Sequence, residues 1–273
     1  MKGIILSIII AFTFNACATK DNGKIQTPNP SATTKTTTVE KVASYEDDFG
    51  SEFDNEFSQE TQKEVFDPLS GYNRAMTTFN DFLFMNVMNP IAKGYAYVLP
   101  QTVRVGVSNF FDNLLFPIRF TNNLLQLKFE NAGVELGRFV VNSLWGLGGF
   151  MDPATNELGW KQYDEDFGQT LGYYGVGSGF HIVLPILGPS NLRDMFSMVP
   201  DGYISPISTT GSSDIPYKIP NNNLEAMGIM GLKTTNSISL KLGQYENIKK
   251  DALDLYPFLR DIYEQRRNQQ IKE

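Results

Sequence analysis

The chain contains one cysteine, Cys17, and one histidine, His181, so few of its side chains could act as strong nucleophiles or transition-metal ligands. A zinc site needs several Cys or His ligands, and these two residues cannot supply them. His181 lies in an apolar stretch, where an isolated histidine is more often a packing residue than a catalyst. The composition therefore predicts no metal ion, no cofactor and no covalent catalysis.

Ser178 is the serine nearest to His181 in the sequence. The nucleophile elbow of a hydrolase has glycine two residues before and two residues after its serine. Val176 and Phe180 occupy those positions here. The elbow pattern fails, and we expect no classical Ser/His/acid hydrolase.

Cys17 follows a charged start at Lys2 and an apolar run over residues 4–14. The run is shorter than the roughly 20 apolar residues that span a bilayer, and its flanks are those of a secretory signal peptide. Residues 14–17, Phe-Asn-Ala-Cys, match a bacterial lipobox. We expect residues 1–16 to be a signal peptide and Cys17 to carry covalent acyl groups. An ordinary exported protein with a spare thiol is the alternative.

Residues 17–64 differ in composition from the rest of the chain. Their first half is rich in Thr, Pro, Lys and Asn, and their second half is acidic. They bury too little apolar surface to offset the entropy of ordering, which predicts a flexible tether. Phe49, Phe53 and Phe57 would share one helical face. Two interpretations stay open, a solvated linker and a short amphipathic helix that docks on the body or on a partner.

Residues 65–270 are long enough for a single domain. Lys and Arg are scattered and the whole chain carries a net charge of −7, so we expect no nucleic-acid partner. Apolar residues recur at helical spacing, whereas two-residue alternation is rare. The sequence predicts a mostly α fold, a single domain of short helices broken by Pro and Gly.

Proline and asparagine mark the predicted helix boundaries. Asp67 is a suitable N-cap with Pro68 at the first helical position, and Asn89-Pro90 should interrupt that helix. Residues 131–145 are apolar almost all round, which is typical of a helix in a central core or against lipid. Short apolar helices in a lipidated protein favour a domain that lies in one membrane leaflet. A large soluble core is the alternative.

Several sequence blocks stand out in a fixed order along the chain. The two longest are DPLSGYNRAM at residues 67–76 and YDEDFGQTLG at residues 163–172. Shorter blocks lie between and after them, at residues 107–111, 122–126, 142–150 and 184–190. In this order the blocks closely resemble the MlaA/VacJ family of outer-membrane lipoproteins. The resemblance is dense over residues 66–206. It is weaker later, although residues 253–256 and 260–267 still resemble the family's end. The acidic tether departs from the family pattern, and residues 209–240 align poorly, so neither inherits a function.

The resemblance implies a ring-like helical protein with a central amphipathic passage, embedded in the inner leaflet of the outer membrane beside a trimeric porin. It implies that mislocalised phospholipid leaves the outer leaflet through this protein and reaches a soluble periplasmic lipid-carrying protein, which maintains lipid asymmetry. The other functions considered are a structural lipoprotein that braces a porin and, less in keeping with the residues, a lipid-modifying enzyme.

Neutral amides suit the lining of such a passage, because they bind phosphate or glycerol oxygens without a net charge to desolvate. Asn109 and Asn113 are four residues apart and share a helical face. The alternative is that the amides cap helices and bind backbone at broken helix ends. The candidate lining residues are Asn80, Asn109, Asn113, Asn122, Asn123 and Asn142.

Four glycines, Gly172, Gly175, Gly177 and Gly179, form a cluster without the Gly-x-Gly-x-x-Gly order of a dinucleotide site. Glycine tolerates positive φ and close backbone approach. The cluster predicts either a tight turn or a flexible flap at the passage.

Charged residues near this cluster receive simpler interpretations. Residues 164–166, Asp-Glu-Asp, should form a solvated loop, because neighbours in sequence do not converge on one cation. Arg193 and Asp194 should form a local pair or cap a helix. Arg266 and Arg267 either meet anionic headgroups or form a solvated basic tail.

Overall fold

The computed structural model describes residues 66–211 and 215–273. The predicted signal peptide, the acylated Cys17 and the acidic tether lie outside the described residues, so they stay predictions.

The described chain is mostly α-helical, as the pattern of apolar residues and prolines indicates. A π-helical segment, Phe84–Met88, joins the first two α-helices. The α-helices are α1 (Ser70–Leu83), α2 (Asn89–Val98), α3 (Gln101–Leu114), α4 (Phe116–Leu125), α5 (Phe129–Leu144), α6 (Pro153–Asn156), α7 (Phe167–Tyr173), α8 (Leu192–Ile204), α9 (Asn223–Leu240), α10 (Gln244–Asp251) and α11 (Leu255–Lys272).

The start of α1 and its predicted interruption differ from the expectation. Asp67 does not cap the helix, because its carboxylate binds Asn73 Nδ2 at 3.2 Å and the Tyr256 hydroxyl on α11. The prediction of a break at Asn89-Pro90 is also wrong. The helix continues through the π-helical segment, where the Asn89 N–H bonds to the Phe84 carbonyl. The wider turn accommodates a proline ring that would clash in a regular α-helix.

Two short strands, β1 (His181–Leu184) and β2 (Gly188–Asn191), form an antiparallel hairpin. His181 pairs with Asn191 and Leu184 pairs with Gly188. The Asn73 side chain of α1 completes the outer edge of β1, since its Nδ2 donates to the His181 carbonyl at 3.0 Å and its Oδ1 accepts from Val183 N at 2.8 Å.

The helices contact one another in a closed circuit. Beyond the π-helical segment, α2 packs on α9, and α9 packs on α3. In turn, α3 packs on α4 and α5, and α4 packs on α7. Finally α7 packs on α11, which returns to α1. The domain is therefore ring-like.

Polar side chains dominate the interior of this ring-like domain. Among the described residues, 25 buried side chains are polar or charged, whereas seven are apolar when proline and glycine are set aside. At the same time, 41 large apolar side chains are exposed. This distribution is the reverse of that in soluble domains. Within residues 66–211 and 215–273, we find no helix both long and apolar enough to cross a bilayer.

Candidate functional site

Helix α5 shows the reversal of inside and outside most clearly. Its buried face carries Glu135, Arg138 and Asn142, at spacings of three and four residues. Its exposed side includes Val140 and Leu144, and the Leu144 side chain is 73% exposed. The sequence allowed this helix to lie in a central core or against lipid. In the structure its apolar residues face outward and its charged residues face inward.

The inward face of α5 forms a charge-balanced cluster with residues of α4 and α6. We call Arg119, Glu135, Arg138 and Asp152 the α5 cluster. Glu135 is fully buried and accepts from Arg119 Nε at 2.7 Å, while Arg138 Nη2 binds Asp152 at 3.0 Å. Arg138 Nε lies 3.9 Å from the same glutamate. Two cations and two anions thus pair, with Arg119, Glu135 and Arg138 buried and Asp152 partly exposed.

Hydrogen bonds keep the carboxylate of Asp152 charged. Burial disfavours its charged form, but hydrogen bonds from Thr155 and Asn142 and the charge of Arg138 hold the pKa of Asp152 below its ordinary value. Asp152 also caps α6 by accepting from Thr155 N at 3.1 Å.

Three of the six predicted lining residues come together beside this cluster. Asn109, Asn113 and Asn142 line one cavity of about 20 Å³, which is room for about one water molecule. The Asn113 amide donates to Ser143 Oγ at 3.1 Å, and Asn109 donates to the Phe150 carbonyl at 3.3 Å. The amides therefore form a polar interior at the contact of α3 and α5.

Asn122 and Asn123 are completely buried on α4, away from that cavity. The Asn122 amide donates to Asp201 Oδ1 at 3.0 Å and accepts from Thr170 Oγ1 at 2.9 Å. Asn123 donates to the Tyr163 carbonyl at 3.3 Å. These two amides join α4 to the segments around α7 and α8.

Asn80 lies on α1, apart from the other five asparagines, and bridges the turn of the hairpin. Its Nδ2 donates to the Leu184 carbonyl at 2.9 Å, and its Oδ1 accepts from Ile186 N at 2.7 Å. Ile186 has a φ of +69°, which is unusual for a β-branched residue. The amide of Asn80 serves here as a partner for backbone groups.

A second ionic cluster joins α7, α8 and α11. We call Asp166, Asp194, Tyr263 and Arg267 the α11 cluster. Arg267 binds Asp166 Oδ2 at 2.7 Å and Asp194 Oδ2 at 2.8 Å, and the Tyr263 hydroxyl donates to Asp194 at 2.7 Å. Burial works against the charged forms, but the hydrogen bonds and charge of Arg267 hold the pKa of both aspartates below the ordinary value.

The interpretation of residues 164–166 as a solvated loop is wrong for two of the three residues. Glu165 is buried and binds Lys128 Nζ at 2.7 Å, and Asp166 belongs to the α11 cluster. Both interpretations of Arg267 are also wrong, since the residue is only 8% exposed. Arg193 and Asp194 do form the local pair expected, at 3.0 Å. The partners of the misread residues come from distant helices, which sequence neighbours do not reveal.

Asp201 of α8 has a different environment from the paired aspartates. It accepts from Asn122 and from Phe167 N at 3.1 Å, and no Lys or Arg nitrogen of the described chain lies within 4 Å. Burial raises the pKa of Asp201 to about 6, and the charge of Asp166 adds to this, against the hydrogen bonds and the charge of Arg267. Asp201 lines a cavity of about 360 Å³.

The glycine cluster begins in the last turn of α7 and leads into the hairpin. At Gly172, a Cβ atom would lie 2.5 Å from Ile271 Cδ1 of α11 and 3.0 Å from Arg193 Nη1 of α8, so both side chains would have to shift to admit one. Gly175 and Gly179 adopt positive φ values of +84° and +71°. Gly177 faces open space. Three of the four glycines thus occupy positions where the backbone is tightly constrained.

His181 is buried in β1 and has aromatic neighbours. Its ring packs edge-on against Tyr263, and Nδ1 lies 3.5 Å from Glu264 Oε1. No group of three His, Cys, Asp or Glu side chains suited to a metal ion occurs in the described part of the chain.

Sequence reasoning assigned no role to Arg119, Glu135, Arg138 or Asp152, and it misinterpreted Asp166 and Arg267. One signal was available, because Glu135, Arg138 and Asn142 form a polar stripe along a helix that is otherwise apolar. No comparable signal existed for Arg267 and Asp166, which are 101 positions apart.

Comparison with known proteins points to one family. A family model described as MlaA lipoprotein matches residues 65–270. The intermembrane phospholipid transport system lipoprotein MlaA of Escherichia coli (strain K12) is 33% identical over 203 residues, which cover 73% of this chain and 76% of that protein. An uncharacterized protein of Rickettsia bellii is 29% identical over 210 residues, covering 77% and 78% of the two chains.

A solved structure agrees with these sequence matches. It comes from work on the structural basis for maintenance of bacterial outer membrane lipid asymmetry and superposes with a TM-score of 0.63 at 27% identity. The similarity covers 75% of this chain and 98% of the other.

Proposed function

Because the chain belongs to the MlaA lipoprotein family, we propose that it removes mislocalised phospholipid from the outer leaflet of the outer membrane and passes it to a periplasmic carrier. The domain lies in the inner leaflet and is anchored through acyl groups on Cys17. A trimeric porin holds it in place. The step involves no covalent chemistry, and uptake by the carrier sets its direction.

The observation that carries this proposal is the reversed distribution of polar and apolar side chains. Exposed apolar residues, such as Leu144 and Trp145 at 73% each, are stable against acyl chains and costly in water. Buried polar groups are stable in a membrane protein when they are paired, as in the α5 cluster. A soluble carrier would need the opposite arrangement.

The closed circuit of helix contacts supports a passage for an amphiphile through the centre of the domain. A phospholipid crossing between leaflets needs polar groups for its headgroup and an apolar surface for its chains. The inward amides Asn109, Asn113 and Asn142 are candidates for the polar lining. Asn80, Asn122 and Asn123 do not line that cavity, and their roles are structural in this proposal.

A deletion strain tests the proposal. We expect an increase in surface-exposed phospholipid, measured with a membrane-impermeant amine reagent, and its reversal by the wild-type gene. Cys17→Ser should lose lipidation, detected by labelling with a fatty-acid analogue, and should complement less well. Unchanged surface phospholipid, with porin binding intact, would replace this proposal by a structural role. Complementation that fails for a folded His181→Ala protein would instead favour an enzyme.

A further inference from the structure

The cavity beside Asp201 has the size of a small-molecule site and a lining of both charge signs. It lies between β2, α8, α11 and the N-terminal end of α7, and its volume is about 360 Å³. Small-molecule sites have volumes of roughly 300–1,000 Å³. By comparison, the cavity beside the α5 cluster has room for about one water molecule.

Two charged groups that line this cavity lack a counterion. Asp201 receives hydrogen bonds from two neutral donors, the Asn122 amide and the Phe167 N–H. Arg266 is exposed and has no hydrogen-bond or ion-pair partner among residues 66–211 and 215–273. The other charged lining residues, Asp166, Asp194 and Arg267, pair within the α11 cluster, where Arg193 also binds Asp194 at 3.0 Å. One free anion and one free cation therefore line the same space.

Apolar side chains border the cavity. Met198 of α8 lines it and is 43% exposed, and the next residue, Val199, is 54% exposed. Pro189 of β2 lines the cavity from the other side, close to the exposed Leu187 of the hairpin turn. A cavity with charged lining residues and an exposed apolar border fits an amphiphile, with its headgroup inside and its chains along the border.

We propose that this cavity binds the zwitterionic headgroup of an aminophospholipid, with the primary ammonium on Asp201 and the phosphate on Arg266. The inference rests on the proposed function and adds a headgroup preference to it. A primary ammonium donates charge-assisted hydrogen bonds to a carboxylate. A quaternary ammonium has no N–H to donate, and a glycerol headgroup has no cation. The site therefore favours ethanolamine over choline and glycerol headgroups.

Soluble headgroups test the preference on the purified full chain in detergent at pH 7.5. The methyl group of ¹³C-methyl-labelled Met198 reports binding in the cavity, and Met198→Leu assigns its resonance. The probes are glycerophosphoethanolamine, glycerophosphocholine, glycerophosphoglycerol and inorganic phosphate. We expect glycerophosphoethanolamine to bind roughly tenfold more tightly than glycerophosphoglycerol, which corresponds to one charge-assisted hydrogen bond.

Three variants locate the two charges. Asp201→Asn should lose the preference for ethanolamine, and Arg266→Gln should weaken binding of every phosphate-containing probe. Asp251→Asn removes an exposed carboxylate of α10 that does not line the cavity, and it should bind as the wild type does. Equal affinities for the ethanolamine and glycerol probes, or inorganic phosphate binding as tightly as glycerophosphoethanolamine, would overturn the inference. Because Arg266 is exposed, Arg266→Gln should fold normally. Full affinity of this variant for the phosphate-containing probes would also overturn the inference.

The outcome is separable from that of the proposed function. Surface phospholipid in the deletion strain tests transport, whereas the Met198 resonance tests headgroup selection. Transport without selection overturns this inference alone. Selection in a chain whose deletion leaves surface phospholipid unchanged overturns the proposed function alone.

Discussion

The α5 cluster and the cavity beside the α11 cluster both contain charged side chains, but they differ in volume and in how many of those charges are paired. In the α5 cluster, two guanidinium groups and two carboxylates pair beside a cavity with room for about one water molecule, and among the described residues Asp112 is the one further carboxylate that lines it. The cavity beside the α11 cluster is about 360 Å³ in volume and leaves Asp201 and Arg266 without counterions. The comparison suggests a division of roles: matched buried charges maintain the architecture, and unmatched charges are available to a ligand.

Removal of Glu135 is the strongest test of the α5 cluster. Glu135→Ala would leave Arg119 and Arg138 buried without their shared carboxylate, and we expect a loss of about 3–5 kcal/mol in the free energy of unfolding. Denaturant unfolding in detergent measures it. Glu130→Ala, at an exposed position in the first turn of the same helix, is the control and should change stability little. A loss below about 1 kcal/mol for Glu135→Ala would contradict the role given to paired charges.

Arg267→Gln applies the same test to the α11 cluster and adds a pH dependence. We expect a loss of about 3 kcal/mol near pH 7, because Asp166 loses its cation and Asp194 keeps only Arg193. Both aspartates have a lowered pKa in the folded protein, so their contribution is present above the unfolded pKa of about 4 and disappears as the pH falls through the folded value. The difference between variant and wild type should therefore shrink in acid. A difference independent of pH would indicate lost packing instead.

Gly168 of α7 tests how closely the α11 cluster is packed. A Cβ atom at this position would overlap Asp194 Oδ1 and lie 2.6 Å from Arg267 Nη2. We expect Gly168→Ala to cost about 2 kcal/mol. Gly133→Ala is the matched control, because that position in α5 is open, and it should gain about 0.5 kcal/mol from helix propensity. Thermal unfolding of the two variants measures the difference in stability. Equal changes for Gly168→Ala and Gly133→Ala would show that the α11 cluster can rearrange to admit the methyl group.

We expect Asp201→Asn to change the free energy of unfolding less than the three destabilising substitutions above. Whereas those lower it, Asp201→Asn should raise it. Because the folded pKa of about 6 is raised, wild-type stability falls as the pH rises from about 4 to about 6. The variant should lack this slope and gain about 1 kcal/mol near pH 7, a value reduced for solvent in the cavity. Unfolding curves at several pH values measure both. A destabilised variant would show that the negative charge itself holds α8 in place.

The helical class was predictable because proline and apolar spacing are local signals. Asn89-Pro90 shows the limit of such reasoning, since the π-helical segment absorbs the proline that should break the helix. The hairpin was not predictable in the same way. Each strand has four residues, and the side chain that supports β1, Asn73, is more than 100 positions away in the sequence.

The residues of the candidate sites also divide into those that a local sequence pattern predicts and those that depend on distant contacts. Asn109 and Asn113 were identifiable as one face of a helix from their spacing, and the structure brings Asn142 to them. Asp201, Arg266 and the α11 cluster depend on contacts between α7, α8 and α11 that no local pattern contains. The family resemblance supplied the function but no role for these charges.

The hairpin supported by Asn73 and Asn80 has a consequence for how molecules of this protein behave toward one another. A two-stranded sheet alone is marginally stable, and its free edges invite pairing with strands of other chains. Asn73 hydrogen-bonds to the outward-facing N–H and carbonyl groups of β1, and Asn80 hydrogen-bonds to backbone groups of the hairpin turn. The protein thereby keeps a small sheet within a helical domain without offering β1 as a template for aggregation.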